Sequence, residues 1–304
     1  MTPALFSTQT IQAGGSTIQP EVLASIQQAS ASTGVDFSYL MAQASRESSF
    51  DPTAKASTSS ATGLYQFVEQ TWLGTFKDHA ADHGYADLAA KIVKRADGRY
   101  SVPDAATRKQ ILDLRRDPTL NAALAAELAS DNKTKMEAAL GHPVSATDLH
   151  LAHFLGLSGA LRFIRKLDSD SATTGAALFP RAAAANRSVF YDGNGRARTV
   201  GEIYARMNES MTSDQATFAA LGTTPAATMT AVASASAPSG AAAAESTLQG
   251  FSNPGSILSP LMLVTIAALP LADQEEKAGS SPRHGAIRPN VASHVNPMGA
   301  LGLG

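Results

Sequence analysis

An all-α domain followed by a low-complexity segment is the fold class this sequence predicts. Between residues 20 and 211, apolar residues recur at spacings of three and four, the period of an amphipathic helix. The same stretch is punctuated by capping residues, prolines and glycines of the kind that start and stop helices. Near residue 220, mixed charged, aromatic and apolar sequence gives way to Ala, Ser, Thr, Pro and Gly.

Residues 1–17 read as a flexible N-terminus. Pro20–Ser32 forms a first helix that Gly34 ends. Asp36 is placed to cap a second helix from Phe37 to about Ser48. Asp51-Pro52 is expected to end it, because a residue before proline is pushed out of the helical region. Residues 53–62 are small and polar and read as a loop. Gly63–Phe76 reads as helical, with Leu64, Phe67, Val68, Thr71 and Trp72 on one stripe. Ala86–Arg95 and Pro103–Leu114 follow. A long Ala-rich helix over Thr119–Leu140 is stopped by Gly141-His142-Pro143. Ser145 or Thr147 caps a helix through His153, and Gly159–Leu167, Leu178–Asn186 and Val200–Met211 complete the set. The only expected strands are a small hairpin around Asp192-Gly-Asn-Gly195. The domain spans 18–215 in this reading. Residues 216–304 form the tail, with a linker over 222–255, a short apolar segment over 257–272 and a disordered end over 273–304.

Composition narrows the function. The 304 residues suffice for one large domain or two small ones, and for a sizeable core. Cysteine is absent, which excludes disulfide scaffolds, Cys-ligated zinc, iron–sulfur clusters and thiol nucleophiles. With 24 Lys+Arg against 26 Asp+Glu, the net charge of −2 gives no general drive toward nucleic acid, and the basic pairs are scattered. No run of about 18 apolar residues predicts a spanning helix. The first ten residues lack a basic region and a long apolar run, so no signal peptide is expected.

Ser45-Arg-Glu-Ser-Ser-Phe-Asp-Pro52 is the first segment with chemical content. On a helix, Leu40, Ala44 and Glu47 share one stripe, so Glu47 extends the apolar face. It also sits in the last turn, where the helix dipole is negative. Both effects favour the protonated carboxyl, which can then act as a general acid. The competing reading is a surface glutamate paired to Arg46 or Lys55. After the small-residue loop comes Gly63-Leu-Tyr-Gln66. Gly63 allows a close backbone approach. Gln66 offers donors and an acceptor suited to an amide or a sugar hydroxyl. Tyr65 and Phe67 can line a pocket.

Glu47-Ser48, then Ser57 through Gly63-Leu-Tyr-Gln66, resembles the soluble lytic transglycosylase domain, a family related to goose-type lysozyme. Its pattern is a Glu-Ser pair at a helix end, then Ser-x-x-Gly-Ala-x-Gly-Leu-Met-Gln. Ser60 stands here for the pattern's second-segment glycine and Tyr65 for its methionine. A third motif, Ala-Tyr-Asn-Ala-Gly, matches Ala152-His153-Phe154-Leu155-Gly156 only at Ala152 and Gly156. A late Glu-x-x-Tyr is represented by Glu202-Ile-Tyr204 with one residue fewer. The resemblance is strong over residues 20–75 and weaker over 76–210.

The resemblance implies a lysozyme-like fold and cleavage of the β-1,4 bond between N-acetylmuramic acid and N-acetylglucosamine in peptidoglycan. Glu47 would be acid and then base, giving a 1,6-anhydro product without a second carboxylate. Ser48, Ser57, Gly63, Tyr65, Gln66, His153 and Tyr204 would form the substrate-binding set. No metal and no cofactor enters this scheme. A hydrolytic muramidase of the same fold is the near alternative. A non-catalytic glycan-binding adaptor of a flagellar or secretion apparatus is another, with the tail recruiting an envelope machine. The substrate places the protein in the periplasm or cell envelope.

Other candidates have plainer readings. Asp51-Pro52 reads as a turn. Asp78, His79, Asp82 and His83 show metal-ligand spacing but lack an evident third ligand, so a solvated face is expected. His150 reads as a packed histidine and Trp72 as core. The Asp192–Arg196 loop lacks the glycine and glutamate of a calcium loop.

Overall fold

The computed structural model describes residues 10–222. β1 (Ile11–Ala13) and β2 (Ser16–Ile18) form an antiparallel hairpin in which Ile11 faces Ile18. Gly14 and Gly15 both take positive φ, the requirement of a tight hairpin turn. Residues 11–17 are thus hairpin where a flexible N-terminus is expected from sequence. Burial of Ile18 anchors the hairpin to the core.

α1 (Pro20–Thr33) starts on a proline and ends on left-handed Gly34. In α2 (Phe37–Ser48), Asp36 caps the N-terminus by accepting from the Tyr39 amide at 2.8 Å. α2 ends before the proline is reached. Ser49 and Phe50 both turn left-handed, and the Phe50 amide donates back to the Ala44 carbonyl. The Phe50 ring is buried and meets Phe218 edge-on at 5.5 Å.

The helix expected from Gly63 starts later. α3 spans Glu69–His79, and residues 61–67 form an irregular turn carrying the bridges Lys55↔Thr62 and Thr62↔Phe67. After α3 come a π-helical turn (Ala81–Tyr85), α4 (Ala86–Ala89), and the two-residue strands β3 (Val93–Lys94) and β4 (Tyr100–Ser101). The small hairpin replaces the second half of the helix expected over 86–95. α5 (Ala105–Asp113) leads through a 3-10 turn (Leu114–Arg116) into α6 (Pro118–Leu140), which Asp117 caps and Gly141 ends.

α7 (Ala146–Asp170) merges two expected helices. Gly156, at φ 73° and ψ 165°, breaks it in the middle. Its start is a capping box between Ser145 and Asp148. α8 (Gly175–Leu178), α9 (Pro180–Ala185) and α10 (Arg187–Phe190) are short. The hairpin expected near residue 193 reduces to one bridge, Tyr191↔Ala197, because residues 187–190 are helical. α11 (Val200–Phe218) opens on a second capping box, Thr199 with Glu202.

α11 and a 3-10 turn (Ala219–Gly222) extend the folded region past residue 215. Phe218 is buried, and Gln27 donates to the Leu221 carbonyl. The segment 257–272 and the rest of the tail beyond 222 lie outside the described residues.

Two apolar clusters form the interior. The first gathers α1, α2, α3 and α6 around Trp72, Phe76, Leu40 and Ile26. The second gathers α7 to α11 around Phe154, Phe163 and Phe190. α7 and α11 serve both, since Leu149, Met211 and Phe218 belong to the first cluster and Phe154, Ile203 and Met207 to the second. α2, which carries Glu47, packs against α11 at this seam.

Candidate active site

Glu47 lies in the last turn of α2, with 1% of its side chain exposed. The pairings that would make it a structural charge are absent among the described residues. Arg46 turns instead to α11, with Nε donating to Asp214 at 2.6 Å and Nη2 to Ser210 at 2.7 Å. Among the described residues, the one polar partner of the Glu47 carboxyl is His153 of α7, whose Nε2 stands 3.0 Å from Oε1. Oε2 has no partner among the described residues, yet it is not among the fully enclosed polar atoms left without one. The small exposure of the side chain therefore admits solvent to that oxygen.

The second motif is tied to the same helix end. Ser48 Oγ donates to the Leu64 carbonyl at 2.8 Å. Tyr65 Oη donates to the Leu40 carbonyl at 3.0 Å. Both bonds draw the 61–67 turn onto α2. Behind the turn stands the start of α6. Asn121, fully buried, accepts from the Tyr65 amide at 2.9 Å and donates to the Arg115 carbonyl at 2.7 Å. Gly63 has φ +89°, and a Cβ there would lie 1.9 Å from the Arg115 carbonyl oxygen. The glycine is needed for both backbone conformation and space.

Gln66 takes φ 46°, which is uncommon for a residue with a side chain. Its Nε2 donates to the Ala54 and Gly63 carbonyls at 3.1 and 2.9 Å. The side chain is thus locked to its own loop, and Oε1 is the amide atom with no partner among the described residues.

The residues expected in the substrate set separate on inspection. Glu47 and His153 touch. Ser48, Gly63 and Gln66 share the adjoining turn. Tyr65 does not line a pocket: it is 5% exposed, its hydroxyl is engaged by the Leu40 carbonyl, and burial holds the phenol well above its usual range. Ser57 is exposed in a bend and makes no hydrogen bond to the others. Tyr204 braces two helices. Its hydroxyl donates to Asp148 Oδ1 at 3.0 Å and lies 3.3 Å from Ser145 Oγ, so it holds α11 to the capped start of α7.

Beneath Glu47 is a polar layer that sequence reading missed. Gln43 Nε2 donates to Tyr39 Oη at 3.2 Å, which leaves Gln43 Oε1 to accept from His150 Nδ1 at 3.2 Å. Burial, then the Arg46 and His153 charges, hold His150 well below the usual histidine range, so it is neutral. Its ring stacks on His153 at 6.5 Å and 10°. Burial pushes Tyr39 up to about 12, and the charge of Glu47 adds to that rise. The available signal was a polar residue at a helical core position, as with Gln43 and with Asn121 between Leu120 and Ala122.

Two surface depressions lie elsewhere, one beside Lys109 and Asp113 and one beside Arg196 and Arg206. None of the expected site residues lines either. Among the described residues, no group of three or more His, Asp or Glu side chains is arranged to hold a metal ion. His79 and His83 instead face Glu127 and Asp131 of α6 at 3.4 to 3.7 Å. No helix among the described residues is long and apolar enough to cross a membrane.

Residues 24–87 match the family model described as the transglycosylase SLT domain. The match takes in Glu47 and the whole 61–67 turn, and stops short of His153 and Tyr204. Over residues 24–87 the chain is similar to the transglycosylase SLT domain, which supports a lytic transglycosylase-type glycosidase family.

Proposed function

We propose that this protein is a peptidoglycan lytic transglycosylase in which Glu47 serves first as acid and then as base. The observation that carries the reading is one enclosed carboxyl, with one polar partner and one unpaired oxygen among the described residues, at the helix end to which the Gln66 turn is bonded. Glu47 gives its proton to the glycosidic oxygen between N-acetylmuramic acid and N-acetylglucosamine. The C1–O bond breaks, and its electron pair leaves with that oxygen. The substrate's own 2-acetamido oxygen stabilises C1, the recognised exception to the two-carboxylate scheme. The ionised Glu47 then takes the proton of the C6 hydroxyl, O6 bonds to C1, and the 1,6-anhydro sugar forms. The carboxyl ends as it began.

Gln66 Oε1 is the atom offered to a sugar hydroxyl or amide. Ser57 is the exposed member of the set. Ser48 and Gly63 place the turn, while Tyr65 and Tyr204 hold the frame. The substrate puts the working location in the cell envelope. A role for residues 222–304 in recruiting an envelope machine is tested by deleting them, and unchanged localisation and partner capture would refute it.

Digestion of purified sacculi by the full chain is the decisive experiment. Glu47→Gln is expected to lower release of soluble fragments by about 1,000-fold or more, because one group does both proton transfers. Product masses are expected to be those of the anhydro sugar. Release at the wild-type rate by the variant, or a reducing-end product, overturns the assignment.

A further inference from the structure

We propose that His153 is the acid–base partner of Glu47: its Nε2 steadies the carboxylate formed when Glu47 gives up its proton, and the protonation of its ring governs how readily that carboxyl can give one. The inference rests on Glu47 being the reacting acid.

Burial makes a partner necessary. A carboxylate with 1% of its side chain exposed is costly unless something donates to it. Arg46 is committed to Asp214 and Ser210, and no backbone amide among the described residues donates to Glu47. His153 at 3.0 Å is the donor that remains. Its ring is placed for exchange as well as support. The side chain is 31% exposed, and Nδ1 has no partner among the described residues, so one nitrogen meets solvent while the other meets the buried acid.

The groups around His153 keep fixed charges. On α2, Tyr39 keeps its proton, with burial pushing it up to about 12, and Arg46 is paired to Asp214 of α11. On α7, the buried His150 stays neutral and stacks on the His153 ring, fixing its plane without adding charge. From the 61–67 turn, Tyr65 keeps its proton too. Histidine is the side chain whose charge ordinarily changes near neutrality.

Two regimes follow. With a neutral ring, Nε2–H can donate to Oε1 as Glu47 ionises in the reaction. With a protonated ring, the imidazolium already holds Glu47 ionised, and the proton needed by the glycosidic oxygen is missing. A donor in place of His153 that does not titrate near neutrality should support catalysis and lack the second regime.

The test compares His153→Gln, His153→Tyr and His153→Phe in the full chain, by fragment release from purified sacculi between about pH 4.5 and about pH 8.5. His153→Phe removes the donor and is expected to lose about 10- to 100-fold in rate at neutral pH. His153→Gln and His153→Tyr keep a donor and are expected to stay within about tenfold of wild type. Their activity relative to wild type should climb as pH falls, moving the optimum down by about one unit. A purely structural histidine would not change the shape of the profile. Profiles of both donor variants superimposable on wild type, or wild-type rates in His153→Phe, overturn the proposal. If His153→Phe fails to fold, the two profiles decide. Glu47→Gln separates the failures. An active Glu47→Gln sinks the Glu47 reading itself, whereas an inactive one beside unchanged His153 profiles sinks the partnership alone.

Discussion

Around Glu47 the chain is shaped through its backbone, and around His153 it is shaped through side chains. On the first side, left-handed Ser49 and Phe50 end α2, Gly63 and Gln66 take positive φ, and backbone carbonyls receive Ser48, Tyr65 and Gln66. On the second side, α7 and α11 are positioned by Asp148 with Tyr204, Thr147 with Asn208, and Arg46 with Asp214. A backbone constraint tolerates few residue types, because φ and close approach leave little choice. A side-chain brace can be built in several ways. The segment that matches the SLT family model, residues 24–87, is the backbone-shaped one.

Gly63→Ala should break the first side most severely. The added methyl would meet the Arg115 carbonyl at 1.9 Å in a conformation already unsuited to alanine. A loss of about 4 kcal/mol or more is expected from the denaturant midpoint, with fragment release falling in parallel. A wild-type midpoint would mean that the turn relaxes freely and is not fixed by its backbone.

Asn121→Leu asks how far that side depends on a residue outside the matched segment. It strands the Tyr65 amide and the Arg115 carbonyl, both buried, for a cost of about 3 kcal/mol. If unfolding shows no loss, water reaches those groups and Asn121 is dispensable.

Tyr204→Phe is the mild case, and it sharpens the contrast. One brace to Asp148 disappears, so about 1 kcal/mol of stability should be lost while the rate stays within about twofold. A large drop in rate at unchanged stability would put the hydroxyl on the substrate.

How far the sequence revealed these parts depends on where the information sits. Helices α1, α2 and α6 were legible because Pro20, Gly34, Asp36 and Gly141 are local signals, and caps act within a turn. The Gly63 helix was misread because Leu64, Phe67 and Val68 have helical spacing. Their burial instead comes from a compact turn held by Asn121 and Arg115, some fifty residues away. One helix was expected to stop at His153 and another to start at Gly159, yet the chain resumes its helix after the break at Gly156 because both arms pack on the second cluster. Tyr65 and Tyr204 were expected at the substrate because they stand at positions of the second and fourth family motifs. Only the fold shows that each hydroxyl has a protein partner.

The sequence by itself determined the helical class, the placement of Glu47 on an apolar stripe at a helix end, and the Gly63–Gln66 segment, though not its turn conformation, as its companion. Those features are set by periodicity, caps and backbone freedom, all read within a few residues. Tertiary structure alone decided that His153 meets Glu47, that Arg46 does not, and that a neutral His150 lies beneath. These pairings join α2 to α7 and α11, more than a hundred residues apart, and nothing in local chain chemistry encodes which distant side chain will close over a buried acid.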